Sequence, residues 1–218
     1  TIETQTYLKE FGHKPKYYLT KNQKLGALIK PLAYDKHQLM PEFSFHIFPK
    51  LQTERLTLRQ LSFDDKKAIF RLRSNKEINE LIERETPKNL NQAEGFIQTC
   101  LDEFENQNRI FWAMISDDDN QLIGTIVFHR IDLENNYAEI GYELNPDYHE
   151  EGYMSEAMKA ILEFGKNNME LKTIEAFTHH NNTASIALLE KHDFVLQIDR
   201  RDEKIENNRI YLLEINQS

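Results

Sequence analysis

The chain has 218 residues, 39% of them apolar and 11% aromatic, enough to bury one ordinary core with an addition. With 29% charged residues, seven Gly and six Pro, collagen-like, low-complexity and disordered classes are excluded. The formal charge of −9 is split: residues 1–50 hold eight Lys and no Arg for a net +4, and residues 51–218 carry a net −13, which argues against a nucleic-acid surface built on clustered Lys and Arg.

An acidic body suits a cationic or amine substrate, and equally it suits plain solubility. No apolar run approaches the ~18 residues of a membrane helix, and no secretory signal opens the sequence, so a cytoplasmic protein is expected. Cys100 is the only cysteine. It excludes an internal disulfide and a Cys-rich zinc site, and its place in an apolar stripe reads as core filler.

Residues 1–50 hold four of the six prolines and eight aromatics, Tyr17, Tyr18, Phe43, Phe45 and Phe48 among them. The prolines forbid long elements, whereas the aromatics exceed what a solvated tail carries. An appendage that packs on the body or on a partner is expected, and a homodimer is one such arrangement.

From Leu51 the punctuation is regular. Thr53 to Leu61 alternates as a half-buried strand, and Phe63-Asp64-Asp65 opens a helix through about Arg73 with its acids in the first turn. Asn89 to Asn108 carries a helical stripe of Ala93, Phe96, Ile97, Cys100, Leu101 and Phe104. Three strands follow, Ile110 to Ile115, Leu122 to Ile131 and Ala138 to Leu144, joined by short polar turns as an antiparallel meander. The Asp117–Asn120 turn lacks the Gly and terminal Glu of a calcium loop.

After Pro146 the order becomes helix (152–168), strand (173–178), helix (183–191) and two strands (194–199 and 209–215). A helical crossover between the Ala138 and Thr173 strands joins parallel neighbours. Ligands in such sheets sit at the carboxyl ends of the strands, beside a helix N-terminus. Gly152 lies where the loop after a strand meets that helix, so free main-chain N–H groups there can hold a diphosphate. A plain helix entry is the other reading. Glu139, Gly141 and Glu143 share one strand face by period two. His179-His180, as adjacent strand residues, are expected to point to opposite faces and to form no metal site.

Three blocks at consistent distances carry a family resemblance: L-Q-T-E-R-L-T-L-R (51–59), A-E-I-G-Y-E-L-N-P-D-Y-H-E-E-G-Y-M-S-E-A (138–157) and N-T-A-S-I-A-L-L-E-K-H-D-F (182–194). From Leu51 onward the chain resembles a GNAT-superfamily N-acetyltransferase of the RimJ/RimL-like branch, whose members include ribosomal-protein N-terminal acetyltransferases. The resemblance implies an α/β fold with a mixed, mostly antiparallel sheet of about seven strands, flanked by helices and splayed at one parallel pair. It implies an acetyl-CoA cosubstrate, no metal, and direct transfer of acetyl to a primary amine, on a protein N-terminus or a small molecule. Such chemistry needs a proton acceptor for the amine and an N–H donor for the oxyanion.

By the same resemblance the acetyl-CoA loop comprises His149, Glu151, Gly152, Tyr153, Met154 and Ser155. Strand-end N–H groups near Glu143, Leu144 and Asn145 meet the thioester and the pantetheine amides, and Asn182 reaches the cofactor arm. Glu139 falls on the family's general-base position, with Glu143 as second candidate and a surface carboxylate as the alternative reading of Glu139. Ser185 resembles the serine that protonates the leaving thiolate; Asn182 as N-cap and Ser185 as a helix-start residue is the competing reading.

The loop departs from the family pattern at Glu150-Glu151, whose charges oppose a diphosphate if they face it. That departure motivates a second hypothesis, a CoA-binding or interaction module with little turnover. Asp193 stands where relatives carry Gly, just past a helix, and is expected to take a left-handed backbone.

Overall fold

The computed structural model describes residues 47–215; the expectations for residues 1–46 lie outside them. The elements in chain order are β1 (Leu51–Gln52), β2 (Leu56–Gln60), α1 (Lys66–Arg73), α2 (Lys76–Asn79), α3 (Leu90–Glu105), β3 (Arg109–Ser116), β4 (Leu122–Asp132), β5 (Tyr137–Leu144), α4 (Tyr153–Asn167), β6 (Thr173–His179), α5 (Thr183–Lys191), β7 (Val195–Leu196) and β8 (Asn208–Glu214). The strands of the described residues form one sheet in the order β1-β2-β3-β4-β5-β6-β8-β7. Every neighbouring pair is antiparallel except β5 and β6.

Each element follows from its local sequence. The alternation in β2 puts Leu56 and Leu58 fully inside. The chain then turns into α1 because the Asp65 carboxylate accepts the Ser62 N–H at 2.7 Å and both amino groups of Arg59, a reciprocal cap at a helix start. The Asn89 side chain caps α3 by accepting the Gln92 N–H at 3.1 Å, and its stripe of Ala93, Ile97, Cys100 and Phe104 is buried.

The sheet is covered on both faces. On one, α4 and α5 bury Met158, Ile161 and Leu189 against Trp112, Ile126, Phe128 and Ile174; on the other, α1 and α3 bury Ile69, Ala93 and Ile97 against Phe111, Ala113 and Ile115. This double coverage explains why β3 reads as a continuous apolar run. Phe48 packs its ring 5.0 Å from Phe104, and the Pro49 carbonyl accepts the Trp112 indole N–H at 2.7 Å.

The structure departs from the sequence reading at three points, the first being the strand expected at 53–61, which begins at Leu56 with Leu51–Gln52 as a separate strand before it. The expected strand at 194–199 shortens to Val195–Leu196, because the ladder ends where the Gln197 N–H meets the Ile210 carbonyl, and the chain then turns with Arg200 paired to Glu175. A four-residue helix, α2, also forms between α1 and α3, where no element was expected. It is held by Asn75, whose side chain accepts the Ile78 N–H.

Candidate active site

The parallel pair β5 and β6 is matched only from Tyr137↔Thr173 to Ile140↔Ala176. Beyond it β5 runs on to Leu144 beside β4, and β6 runs on to His179 beside β8. The two strands therefore part, leaving a wedge in the sheet. Asn145 donates its N–H to the Ile123 carbonyl at 2.8 Å, so by the alternation of an antiparallel ladder Glu143 and Gly141 also point their main-chain groups at β4. The N–H groups of Tyr142 and Leu144 consequently face the wedge. Of the strand-end N–H groups expected to be unpaired, that of Leu144 points into the wedge and those of Glu143 and Asn145 turn to β4, while that of Tyr142, which was not expected, points in beside Leu144.

Next to the wedge stands the N-terminus of α4. Gly152 caps it with φ +85°, a left-handed conformation that an L side chain adopts only with strain. The first N–H bonded within the turn is that of Glu156, to the Gly152 carbonyl at 3.0 Å. The N–H groups of Gly152, Tyr153, Met154 and Ser155 are the free donors of a helix start, and they lie where the helix dipole favours an anion. Glu150 and Glu151 are exposed. His149 sits with its Nε2 3.1 Å from the Leu144 carbonyl, and the Ser155 hydroxyl pairs with His192 Nε2 at 2.9 Å.

This helix start is fastened to β2. Glu156 accepts the Thr53 hydroxyl at 2.6 Å, the Arg55 main-chain N–H at 2.8 Å and the Arg55 Nε at 2.8 Å. Arg55 also donates to the Glu151 carbonyl at 3.1 Å and lies over the Tyr153 ring at 4.2 Å. Burial works against the Glu156 carboxylate, but the hydrogen bonds from Thr53 and Arg55 outweigh it and hold its pKa below the ordinary value.

Glu156→Ala strips these donors of their acceptor, and is expected to lower stability near neutral pH by about 1–3 kcal/mol, with the exposed share of the Arg55 contact screened by solvent. A depressed carboxylate contributes stability above its unfolded pKa and loses it as pH falls through the folded one. The gap between parent and variant in urea unfolding should therefore shrink below about pH 4.

On the opposite side of the wedge, the Asn182 side chain accepts the Ser185 N–H at 3.1 Å, so it does cap α5, with its amide NH2 left over. The Ser185 hydroxyl lies 2.8 Å from the Tyr142 hydroxyl. Burial pushes the Tyr142 phenol well above its usual range, keeping it a neutral hydrogen-bonding group.

A hollow of about 260 Å³ opens from the wedge, and its wall includes Arg73, Thr125, Gly141, Glu143, Asn182 and Ser185. Glu143 is buried; Arg84 approaches its Oε2 at 2.5 Å, Arg73 its Oε1 at 3.6 Å, and the Thr125 hydroxyl its Oε1 at 3.3 Å. Glu139 is on the same face two positions beyond Gly141 but outside this wall. It accepts from Arg130 at 2.7 Å and Tyr137 at 3.1 Å, with His129 Nδ1 3.6 Å away. Burial, with Arg109 and Arg130, lowers the His129 pKa against the pull of Glu139.

A second hollow of about 590 Å³ lies between α3 and the loop before it, lined by Glu85, Lys88, Gln92 and Phe96 and sharing Arg73 with the first. The residues present fit an acyl thioester of coenzyme A: free N–H groups with a side-chain-free glycine for the diphosphate, and unpaired strand N–H groups for the amides and the carbonyl.

Residues 55–195 match the family model described as acetyltransferase (GNAT) domain. The chain belongs to the GNAT acetyltransferase family. The uncharacterized N-acetyltransferase YoaA of Bacillus subtilis is 36% identical over 148 residues, 68% of this chain and 84% of that protein. A solved GNAT-family acetyltransferase from Bacillus anthracis is 26% identical with a TM-score of 0.64, covering 76% of this chain and 98% of that one. RimL, the ribosomal L7/L12 alpha-N-protein acetyltransferase solved in complex with coenzyme A, shares the fold at a TM-score of 0.68 and 17% identity over 77% of this chain and 98% of that one.

Several residues around the wedge escape sequence reading. Arg55 and Glu156 both fall inside the quoted blocks, yet nothing in their spacing shows that they meet 101 residues apart. Arg73 and Arg84 look like ordinary surface cations in a polar stretch. Tyr142 is on the face opposite Glu139 and Glu143, and only the partner from α5 gives its hydroxyl meaning.

His179 and His180 do not diverge as expected. The strand ends at His179, His180 belongs to the turn, and their rings stack at 4.5 Å. Among the described residues no three His, Cys, Asp or Glu side chains are grouped to hold a metal ion, and no helix is long and apolar enough to cross a membrane. Cys100 is buried in the α3 stripe, where burial pushes its thiol up to about 12. Asp193 takes φ +65°, the left-handed backbone anticipated for it.

Proposed function

We propose that the protein transfers acetyl from acetyl-CoA to the primary amine of a small molecule or of a protein N-terminus by direct attack on the thioester. The observation that carries this reading is the wedge between β5 and β6, with free N–H groups on one wall and the bare start of α4 at its mouth. Bound acetyl-CoA supplies the activated acyl group. The N–H groups of Gly152 through Ser155 receive the diphosphate, with Tyr153 and Met154 buried behind them. The Tyr142 and Leu144 N–H groups receive the pantetheine amide and polarise the thioester carbonyl.

Glu143, in the wall of the hollow, attracts the acceptor ammonium and takes its proton. Glu139 stays outside and orients His129 and Arg130. The Ser185 hydroxyl, relayed by Tyr142, faces the leaving sulfur. In balance, the new C–N bond replaces the C–S bond, the thiolate leaves as the thiol, and one proton is released. Support for the CoA part comes from RimL, which holds CoA in the same fold.

The test measures thiol release from acetyl-CoA with N-terminal Ser, Ala and Thr peptides, polyamines, aminoglycosides and amino acids, with acetyl-CoA binding followed separately by calorimetry. Saturable thiol release with at least one amine class is expected. Tight binding without release on any amine would leave the protein a CoA-binding module instead.

A further inference from the structure

Arg73 borders the site with its hydrogen-bond donors unused. Its side chain is 18% exposed, and among the described residues its guanidinium donates no hydrogen bond. Its contacts are a stacking over Phe96 at 3.8 Å and a loose approach to Glu143 at 3.6 Å. Arg84 is held more closely: its Nε donates to Asn79 at 2.8 Å and its Nη1 lies 2.5 Å from Glu143, although its buried Nη2 has no hydrogen-bond partner. Arg84 is the nearer cation to Glu143, and Arg73, which approaches it at 3.6 Å without a hydrogen bond, keeps its donors for another anion. Arg73 lines both hollows, so its idle donors border open space. A planar guanidinium fixed by an aromatic ring presents a fork that matches a carboxylate bidentately.

The surroundings define what such a carboxylate belongs to. Arg73 and Glu143 border one hollow of about 260 Å³, which also reaches the wedge at Gly141 and Tyr142. A cation and an anion on one wall, a few ångströms apart, match the two charges of a zwitterion. The volume falls below the ~300–1,000 Å³ typical of drug-sized ligand sites, which suits a compact molecule. A Cβ on Gly141 would meet Val127 at 3.3 Å and His129 at 3.7 Å, so the glycine keeps this part of the floor low between two carboxylates, where an amine must approach β5.

We infer that the acceptor is a free amino acid or a similarly compact amino-carboxylate, with Arg73 receiving its carboxylate and Glu143 its ammonium. This assignment rests on the proposed acetyltransferase reading and names the substrate class of that same site. An α-carboxylate on Arg73 directs the amine at the wedge, where the thioester carbonyl is held. A peptide N-terminus offers only a neutral carbonyl at that point and leaves the guanidinium without its counter-ion.

The full chain is assayed for thiol release from acetyl-CoA with glycine, alanine, leucine and glutamate, with the α-amide of each, and with Ser- and Ala-initiated peptides. An amide's amine is less basic than that of its acid, so unassisted chemistry at neutral pH favours the amide. The assignment predicts the opposite, a kcat/KM about 10- to 100-fold higher for the best acid than for its amide, the range expected of one charge-assisted hydrogen bond. Arg73→Gln should collapse that preference to within about threefold, mainly through KM for the acid, and Arg73→Lys should keep part of it.

Equal use of acid and amide, preference for peptides, or a parallel loss on both substrates in Arg73→Gln would overturn the assignment while leaving the acetyltransferase reading intact. If no amine is turned over, that reading fails on its own. Calorimetric titration of the same acids and amides into the CoA complex then decides the clamp, which is overturned unless the acids bind more tightly than the amides in the parent and lose that advantage in Arg73→Gln.

Discussion

Gly152→Val leaves a folded protein that no longer binds acetyl-CoA. The position has φ +85°, and forcing a residue with a Cβ into left-handed backbone costs about 1–2 kcal/mol, more for a β-branched one. The added methyls also stand beside the free N–H groups proposed to receive the diphosphate. A Cβ by itself would only touch Arg55 Nη2 at 3.6 Å, an ordinary contact, so the strain lies in the backbone conformation. Together these effects predict an affinity loss of at least about 100-fold by calorimetry, with a far-ultraviolet spectrum like that of the parent. Gly152→Ala, which adds a Cβ but no branch, should fall between the two. A valine variant that binds acetyl-CoA normally would move the diphosphate site elsewhere.

Glu143→Gln is the second large effect. The amide keeps the shape and an acceptor oxygen for Arg84 but takes up no proton, so kcat should fall by about 10²–10³, within the usual range for a general base. Acetyl-CoA affinity should be unchanged, because the proposed cofactor contacts are main-chain groups. The same substitution at Glu139, which lies outside the hollow and already accepts from Arg130 and Tyr137, should lower kcat by less than about tenfold. The reverse order of the two variants would assign the proton to Glu139 through His129.

The contrast between these two carboxylates shows where sequence reading ends. Period two places Glu139 and Glu143 on one face, and the structure agrees. It does not say which of them faces a hollow, since that depends on Arg84, which arrives from a loop 59 residues away. Helices and strands with strong periodicity were legible because burial on a single face leaves its mark on each residue, as along α3 and β2. The early end of β7 and the short α2 were not, since they are set by individual hydrogen bonds at Gln197 and Asn75. Gly152 could be read from sequence because a special backbone conformation demands a special residue. Tyr142 could not, for its role depends on a strand N–H direction and on a serine 43 positions away.

The narrow junction between β5 and β6 bears on how the molecule opens. Among the described residues the strand ladder joins the five-stranded part of the sheet to the three-stranded part at four pairs, from Tyr137 to Ile140, with Asn136 accepting from Lys172 and Thr173 at its edge. The meander that ends in β5 is built from contacts near in sequence, whereas this junction closes a crossover of 36 residues from Tyr137 to Thr173. Such a closure is paid for in loop entropy and forms late. It is accordingly the place for a partial opening at a free energy below that of global unfolding. Release of those four pairs would separate the two walls of the site at once, so any molecule bridging them stabilises the junction by mass action.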